Sequence, residues 1–114
     1  MSLAVALSIA VLVWPAGSSA TTSTAVGVSE REWSITLGRI TAPHGRITLY
    51  IHNYGQDDHD VKVRSHRVVY GHTGRIRSGG EVTLTLRLKP GVYKIYCGIP
   101  GHRQLGMVTR LTVT

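Results

Sequence analysis

Apolar residues in this chain fall mainly at every second position, in short runs bounded by Gly, Pro, Asn and Asp. Trp33, Ile35 and Leu37 alternate with Ser34 and Thr36, and Ile47, Leu49 and Ile51 alternate with Thr48, Tyr50 and His52. Successive side chains of a strand point to opposite faces, so each run predicts a strand with one dry face. Val61 and Val63, set among Asp60, Lys62 and Arg64, predict a third, and Val82, Leu84, Leu86 and Leu88 against Thr83, Thr85 and Arg87 predict the clearest strand of the chain. Lys89-Pro90-Gly91 then reads as a turn, Pro fixing φ and Gly tolerating a positive one. The next strand, Val92 to Cys97, carries Tyr93, Ile95 and Cys97 on one face, and the last, Met107 to Thr114, carries Met107, Thr109, Leu111 and Val113. No run shows a helical stripe. The expected fold is an all-β Greek-key β-sandwich of about seven or eight antiparallel strands. Residues 65–80 follow no clear period and are open to a loop, a short helix or another hairpin.

The beginning of the chain is different in kind. Residues 1–20 carry no charged side chain, run apolar from Leu3 to about Trp14, then turn small and polar through Pro15, Gly17, Ser18 and Ala20. Ser18 and Ala20 supply the small residues of an export cleavage site, so this segment is expected to be a signal peptide removed near Ala20. An uncleaved anchor is the alternative, against which the apolar run falls short of the roughly 20 residues that span a bilayer. Thr21 to Thr24 reads as a short linker and residues 25–114 as one domain, because a chain of 114 residues is too short to divide into two cores. Export places the protein in a bacterial periplasm or at the extracytoplasmic cell surface.

Cys97 is the only cysteine, which rules out an internal disulfide and any CxxC motif. A lone thiol in an exported protein is either buried or occupied by a metal, since free thiols oxidise there. The run Cys97-Gly-Ile-Pro-Gly-His102-Arg-Gln-Leu-Gly-Met107 sets a thiolate, an imidazole and a thioether with four residues between each pair. Gly98, Pro100, Gly101 and Gly106 let this loop curl until the three side chains converge. A thiolate with two imidazoles and a weak thioether suits copper cycling between Cu(I) and Cu(II), whereas zinc has no use for the methionine. The second imidazole must come from upstream. His59 is preferred, at the mouth of a strand after the turn-forming Asn53-Tyr-Gly55-Gln-Asp-Asp; His52 faces outward on its strand, and His44, His66 and His72 fall in expected loops. Taken singly, Cys97 and Met107 would pass as core residues. Their ordered spacing on an all-β pattern argues for a site.

The runs Asn53-x-Gly55-x-x-x-His59-Asp60 and Gly91-Val-Tyr93-Lys-Ile-Tyr96-Cys97-Gly-Ile-Pro100-Gly101-His102-Arg-Gln-Leu-Gly106-Met107 resemble those of the cupredoxins, in particular the plastocyanin, auracyanin and azurin group. The gap between Cys97 and His102 is longer than in plastocyanin and looks more like auracyanin. The resemblance implies a cupredoxin-like sandwich holding one type 1 (blue) copper, with His59, Cys97 and His102 in the trigonal plane, Met107 axial and an edge of His102 at the surface. It also implies that Asn53 and Asp60 surround the ligands with hydrogen bonds. The implied function is one-electron transport between extracytoplasmic redox partners. An exported copper carrier or buffer that delivers its ion to an acceptor protein is the alternative on the same ligands, and a metal-free interaction domain is a third.

Four protein ligands leave no open position at the metal, so no enzymatic activity, catalytic residue or small-molecule substrate is expected. Thirteen Lys and Arg against six Asp and Glu give a formal net charge of +7. An exported chain with no nucleic-acid motif is not expected to bind nucleic acid despite that charge. The expected partners are an acidic redox protein or an anionic membrane surface, met by a monomer through Ile99, Pro100 and Leu105 around His102, with Arg103 beside them.

Overall fold

A computed structural model describes residues 1–14 and 22–114. The expected cleavage site at Ser18 to Ala20 lies outside the described residues. Residues 1–14 carry neither helix nor strand and are exposed. Among the described residues, no helix is long and apolar enough to cross a membrane.

The strands are β1 (Thr24–Arg31), β2 (Ser34–Leu37), β3 (Thr41–Ala42), β4 (Gly45–Asn53), β5 (Lys62–Ser65), β6 (Val68–His72), β7 (Glu81–Leu88), β8 (Gly91–Tyr96) and β9 (Val108–Val113), with one helical turn, α1 (His102–Leu105), before β9. They form a four-stranded sheet ordered β2-β1-β4-β7 and a five-stranded sheet ordered β3-β9-β8-β5-β6. Among the described residues, nine strands therefore stand where about seven or eight were expected. Thr24, read as linker, opens β1, and residues 65–80 resolve into the end of β5, β6 and a loop in which Ile76 bridges to His59. Nor is the sandwich purely antiparallel. β1 pairs with β4 in parallel and β3 with β9 in parallel, because the chain between β1 and β4 passes through β3, which belongs to the other sheet.

The alternation in the sequence fills the space between the sheets. Val26, Val28, Ile47, Leu49 and Ile51 from one sheet meet Val63, Ile95, Leu111 and Val113 from the other, all buried. Each such side chain contributes roughly 1.5–3 kcal/mol of hydrophobic stabilisation. Val82, Leu84 and Leu86 are only half-buried, since β7 is an edge strand. Trp33 leaves the row expected for it with Ile35 and Leu37. Arg31 pairs with Ser34, so Glu32 and Trp33 become the two-residue turn between β1 and β2, and Trp33 is 38% exposed.

Strand directions sort the connections into two ends. The β1–β2 turn and the segments 54–61, 73–80 and 97–107 gather at one end; the β5–β6 and β7–β8 turns, the start of β1 and the end of β9 lie at the other.

Candidate metal centre

The segment after β8 curls back on itself through backbone hydrogen bonds. The His102 N–H donates to the Ile99 carbonyl (3.1 Å), the Met107 N–H to the His102 carbonyl (3.2 Å), and the Cys97 N–H to the Met107 carbonyl (3.1 Å). Gly101 and Gly106 flank α1 with φ of 88° and 129°, values that side chains with a Cβ rarely tolerate. At Gly106 a Cβ would also stand 2.8 Å from the Trp33 carbonyl oxygen. On the facing segment, His59 is held by a two-way bridge to Ile76, its N–H donating at 3.0 Å and its carbonyl accepting at 2.7 Å.

These constraints bring His59, Cys97 and His102 together, their ligand atoms all within 4.8 Å of one another. The two Nδ1 atoms are 3.2 Å apart, and Cys97 Sγ lies 3.6 Å from His102 Nδ1. Such spans suit donors about 2.0–2.3 Å from one shared ion. His59, Cys97 and Met107 are wholly buried, while His102 is half-exposed. Met107 lies in the same apolar cluster as Cys97.

Glu32 decides how His59 presents itself. Its Oε1 lies 3.0 Å from His59 Nε2 and accepts the backbone N–H groups of Gln56 (2.9 Å) and Asp57 (2.7 Å). Led by the Asp57 N–H, these donors hold its pKa down at about 2 against a burial effect in the other direction. An ionised carboxylate has no proton to offer, so Nε2 carries the hydrogen and Nδ1 turns a lone pair into the cluster. The carboxylate fills the place where a side chain at Gly55 would begin, 2.5 Å from the site of its Cβ. Trp33 packs edge-on against His102 at 4.8 Å and His59 at 6.2 Å between ring centres. Neither Glu32 nor Trp33 was among the sequence candidates, and no local motif marks them.

Asn53 and Asp60 tie the ligand segments to each other. Buried Asn53 donates from Nδ2 to the carbonyls of Asp57 (2.8 Å) and Ile76 (2.9 Å) and accepts the Gly55 N–H (2.8 Å). The Asp60 carboxylate accepts the Gly98 N–H, and the Asp60 N–H points at Cys97 Sγ from 3.5 Å. Burial pushes the Cys97 thiol pKa up; the N–H groups of Asp60 and Ile99 oppose this, and the negative charges of Asp60 and Glu30 add to it. Glu30 is itself fully buried, with no hydrogen-bond partner for either carboxyl oxygen among the described residues. Burial first, and Asp60 second, raise its pKa to about 8. The alternation Val26, Val28, Glu30 is the one sequence signal that could have placed it inside.

The other histidines stand apart. His44, His66 and His72 are exposed, and half-buried His52 stacks on Tyr54 at 3.8 Å and meets Glu81 at 2.7 Å. Around His102, Ile99 is half-buried against the core, whereas Pro100, Arg103 and Leu105 are exposed. Arg103 lies over the Tyr96 ring at 5.2 Å, beside a groove of about 210 Å³.

Comparison with known proteins bears on this arrangement. No curated protein matches the sequence. Among solved structures the chain is similar to rusticyanin from Thiobacillus ferrooxidans (17% identity over 81% of this chain and 77% of that one, TM-score 0.70). It is also similar to the azurin of Methylomonas sp. strain J (13% identity, 80% and 98% covered, TM-score 0.66). Auracyanin A from Chloroflexus aurantiacus, described as a "blue" copper protein, matches at 12% identity with 82% and 100% covered and a TM-score of 0.66. At such identities these likenesses establish the fold. The model of the cupredoxin-like domain matches residues 2–109, nearly the whole sequence, and the chain belongs to that family.

Proposed function

We propose that this protein is a one-electron carrier built on a single type 1 copper, held by His59, Cys97 and His102 with Met107 as a weak fourth ligand, and that it works outside the cytoplasm. The observation that carries the reading is the convergence of two imidazole nitrogens and one thiol sulfur within 4.8 Å. That donor set suits copper in both of its oxidation states. The shared fold of auracyanin A, a "blue" copper protein, supports it. A copper ion bound there supplies a one-electron cycle between Cu(I) and Cu(II).

The chain's own residues account for the rest. Glu32 fixes the His59 ring so that Nδ1 faces the metal, and Asn53 and Asp60 bind the ligand segments to each other. Ligands restrained in this way keep their places when the charge of the site changes, which keeps electron exchange fast. Cys97 must lose its proton to bind, and burial holds that proton on, so acid weakens binding. His102 is the half-exposed ligand, and the exposed Pro100 and Leu105 with Ile99 form an apolar rim suited to a small, short-lived contact with a redox partner.

Addition of Cu(II) to the purified protein tests this directly. An intense visible thiolate-to-copper band is expected, lost in Cys97→Ser while the fold, read by circular dichroism, remains. Failure to bind copper, or a Cys97→Ser protein that keeps the band, would overturn the reading. An electron carrier also retains its colour through repeated reduction by ascorbate and reoxidation, whereas a protein that delivers copper surrenders it to a metal-free acceptor.

A further inference from the structure

The charges of this protein are segregated along its length. Glu30, Glu32, Asp57, Asp58 and Asp60 belong to the segments around His59, and Glu81 opens β7 opposite His52, at the same end. The other end holds no acid. Lys94 of β8 lies directly opposite Arg64 of β5 on one side and Arg110 of β9 on the other. Three cations thus form one row across adjacent strands about 4.8 Å apart, on the face turned away from the core. Arg46 and Arg87 oppose each other in the same way across β4 and β7. Like charges directly opposite one another destabilise a sheet, and among the described residues no Lys or Arg is ion-paired with a carboxylate to relieve them.

The cation row opens onto a cleft of about 660 Å³ that Tyr70 and Lys89 also line. Beside it Val69 of the edge strand β6, paired with Arg64, and Val92 of β8, two residues before Lys94, are exposed on the same face. Single exposed apolar residues are ordinary on a protein surface, but a group of them among unpaired cations has the composition of a membrane-interface surface. Apolar and tyrosine side chains enter the acyl boundary there while cations meet anionic headgroups. The chain enters the fold at the same end, where Thr24 pairs with Ile47 beside Arg46.

We propose that the outer face of β5, β6, β8 and β9, with Arg64, Lys94 and Arg110 as its cation row, docks this protein onto an anionic lipid membrane. The expectation of membrane contact through the rim of His102 is replaced for an electrostatic reason, since every acid of the chain lies at that end. Docking by the basic face leaves His102 free to meet a redox partner.

The test uses the full chain, with and without copper, and vesicles of phosphatidylcholine alone or with added phosphatidylglycerol, read by co-sedimentation. Binding to the anionic vesicles should be tighter, weaken with salt and be the same in both metal states, so that a failure here leaves the copper reading untouched. Lys94→Gln with Arg110→Gln should lower affinity for the anionic vesicles roughly 25-fold, about fivefold per cation, without changing binding to neutral ones. Val69→Ser with Tyr70→Ser should weaken binding to both. Because the glutamine substitutions remove a repulsion, thermal unfolding should show the variant at least as stable as the parent. Equal affinity for the two kinds of vesicle, or an equal loss from Arg75→Gln with Arg77→Gln at the metal-centre end, overturns the proposal. So does a glutamine variant that keeps its vesicle binding but exchanges electrons more slowly with an acidic redox protein, which would assign the face to a protein instead.

Discussion

His59 Nε2 lies 3.0 Å from Oε1 of Glu32, a residue 27 positions earlier in the chain. The contact makes the β1–β2 turn part of the candidate metal centre. A charged carboxylate behind a ligand imidazole stabilises the more positive state of the ion in front of it. Glu32→Gln keeps an oxygen for the hydrogen bond and removes the charge, so the reduction potential of the copper protein should rise while the visible band stays in place. Voltammetry measures the first and absorption the second. An unchanged potential would reduce Glu32 to a loop staple. Stability should respond as well. With its pKa lowered from 4.5 to about 2, Glu32 contributes fully above pH 4.5 and loses its contribution as pH falls towards 2, so acid unfolding of the glutamine variant should lack that part of the slope.

Glu30 has the opposite sign. Its pKa rises from 4.5 to about 8, so between these values the native state retains a proton that the unfolded chain has released. The contribution of Glu30 to stability is then greatest below pH 4.5 and is lost on the way to pH 8, on the order of 5 kcal/mol in all. Glu30→Gln cannot ionise. Urea unfolding of the metal-free protein at pH 5 and pH 8 should show a marked loss in the parent and little in the variant.

Met107 is wholly buried next to the Cys97 cluster. Met107→Leu nearly conserves volume, so the fold should survive at a cost below about 1.5 kcal/mol. Loss of a weak thioether donor would destabilise Cu(II) more than Cu(I), and the potential should rise with copper still bound. A potential equal to that of the parent would make Met107 a packing residue alone.

Gly106 combines a φ of 129° with a close approach to the Trp33 carbonyl, 2.8 Å from where a Cβ would stand. Backbone oxygen cannot swing aside as a side chain can. Gly106→Ala should cost on the order of 1–3 kcal/mol and weaken copper binding, because Met107 is the next residue. Thermal unfolding and a competition titration against a chelator check the two effects, and Gly45→Ala offers the control, having a positive φ but open space around it.

How much of this could be read from the residues depends on the distance over which each signal acts. Cys97, His102 and Met107 lie within one loop whose Gly and Pro residues prescribe a tight curl, and the structure brings the first two together as the spacing suggested. The β alternation was legible for the same reason, since the period of two is a property of each strand alone. His59 needed a choice among candidates, resting on its place at the mouth of a strand.

Glu32 was silent because its partner is 27 residues away and its own neighbourhood, Arg31-Glu32-Trp33, looks like any charged turn. Trp33 was misplaced because the alternation ran one residue past the Arg31 to Ser34 pairing that makes the turn. The parallel pairs β1 with β4 and β3 with β9 depend on a crossover between sheets, which strand-by-strand patterning does not encode.

The sequence by itself determined which segments extend, which face of most strands is dry and which three side chains share the loop from Cys97 to Met107, all of them consequences of local geometry. Its net charge was equally plain from composition. Where that charge sits was decided only in three dimensions: Arg64, Lys94 and Arg110 are scattered along the chain and become neighbours through strand pairing. The tautomer of His59 was decided there too, because a hydrogen bond across the fold, and not the ring's own chemistry, selects which nitrogen faces His102.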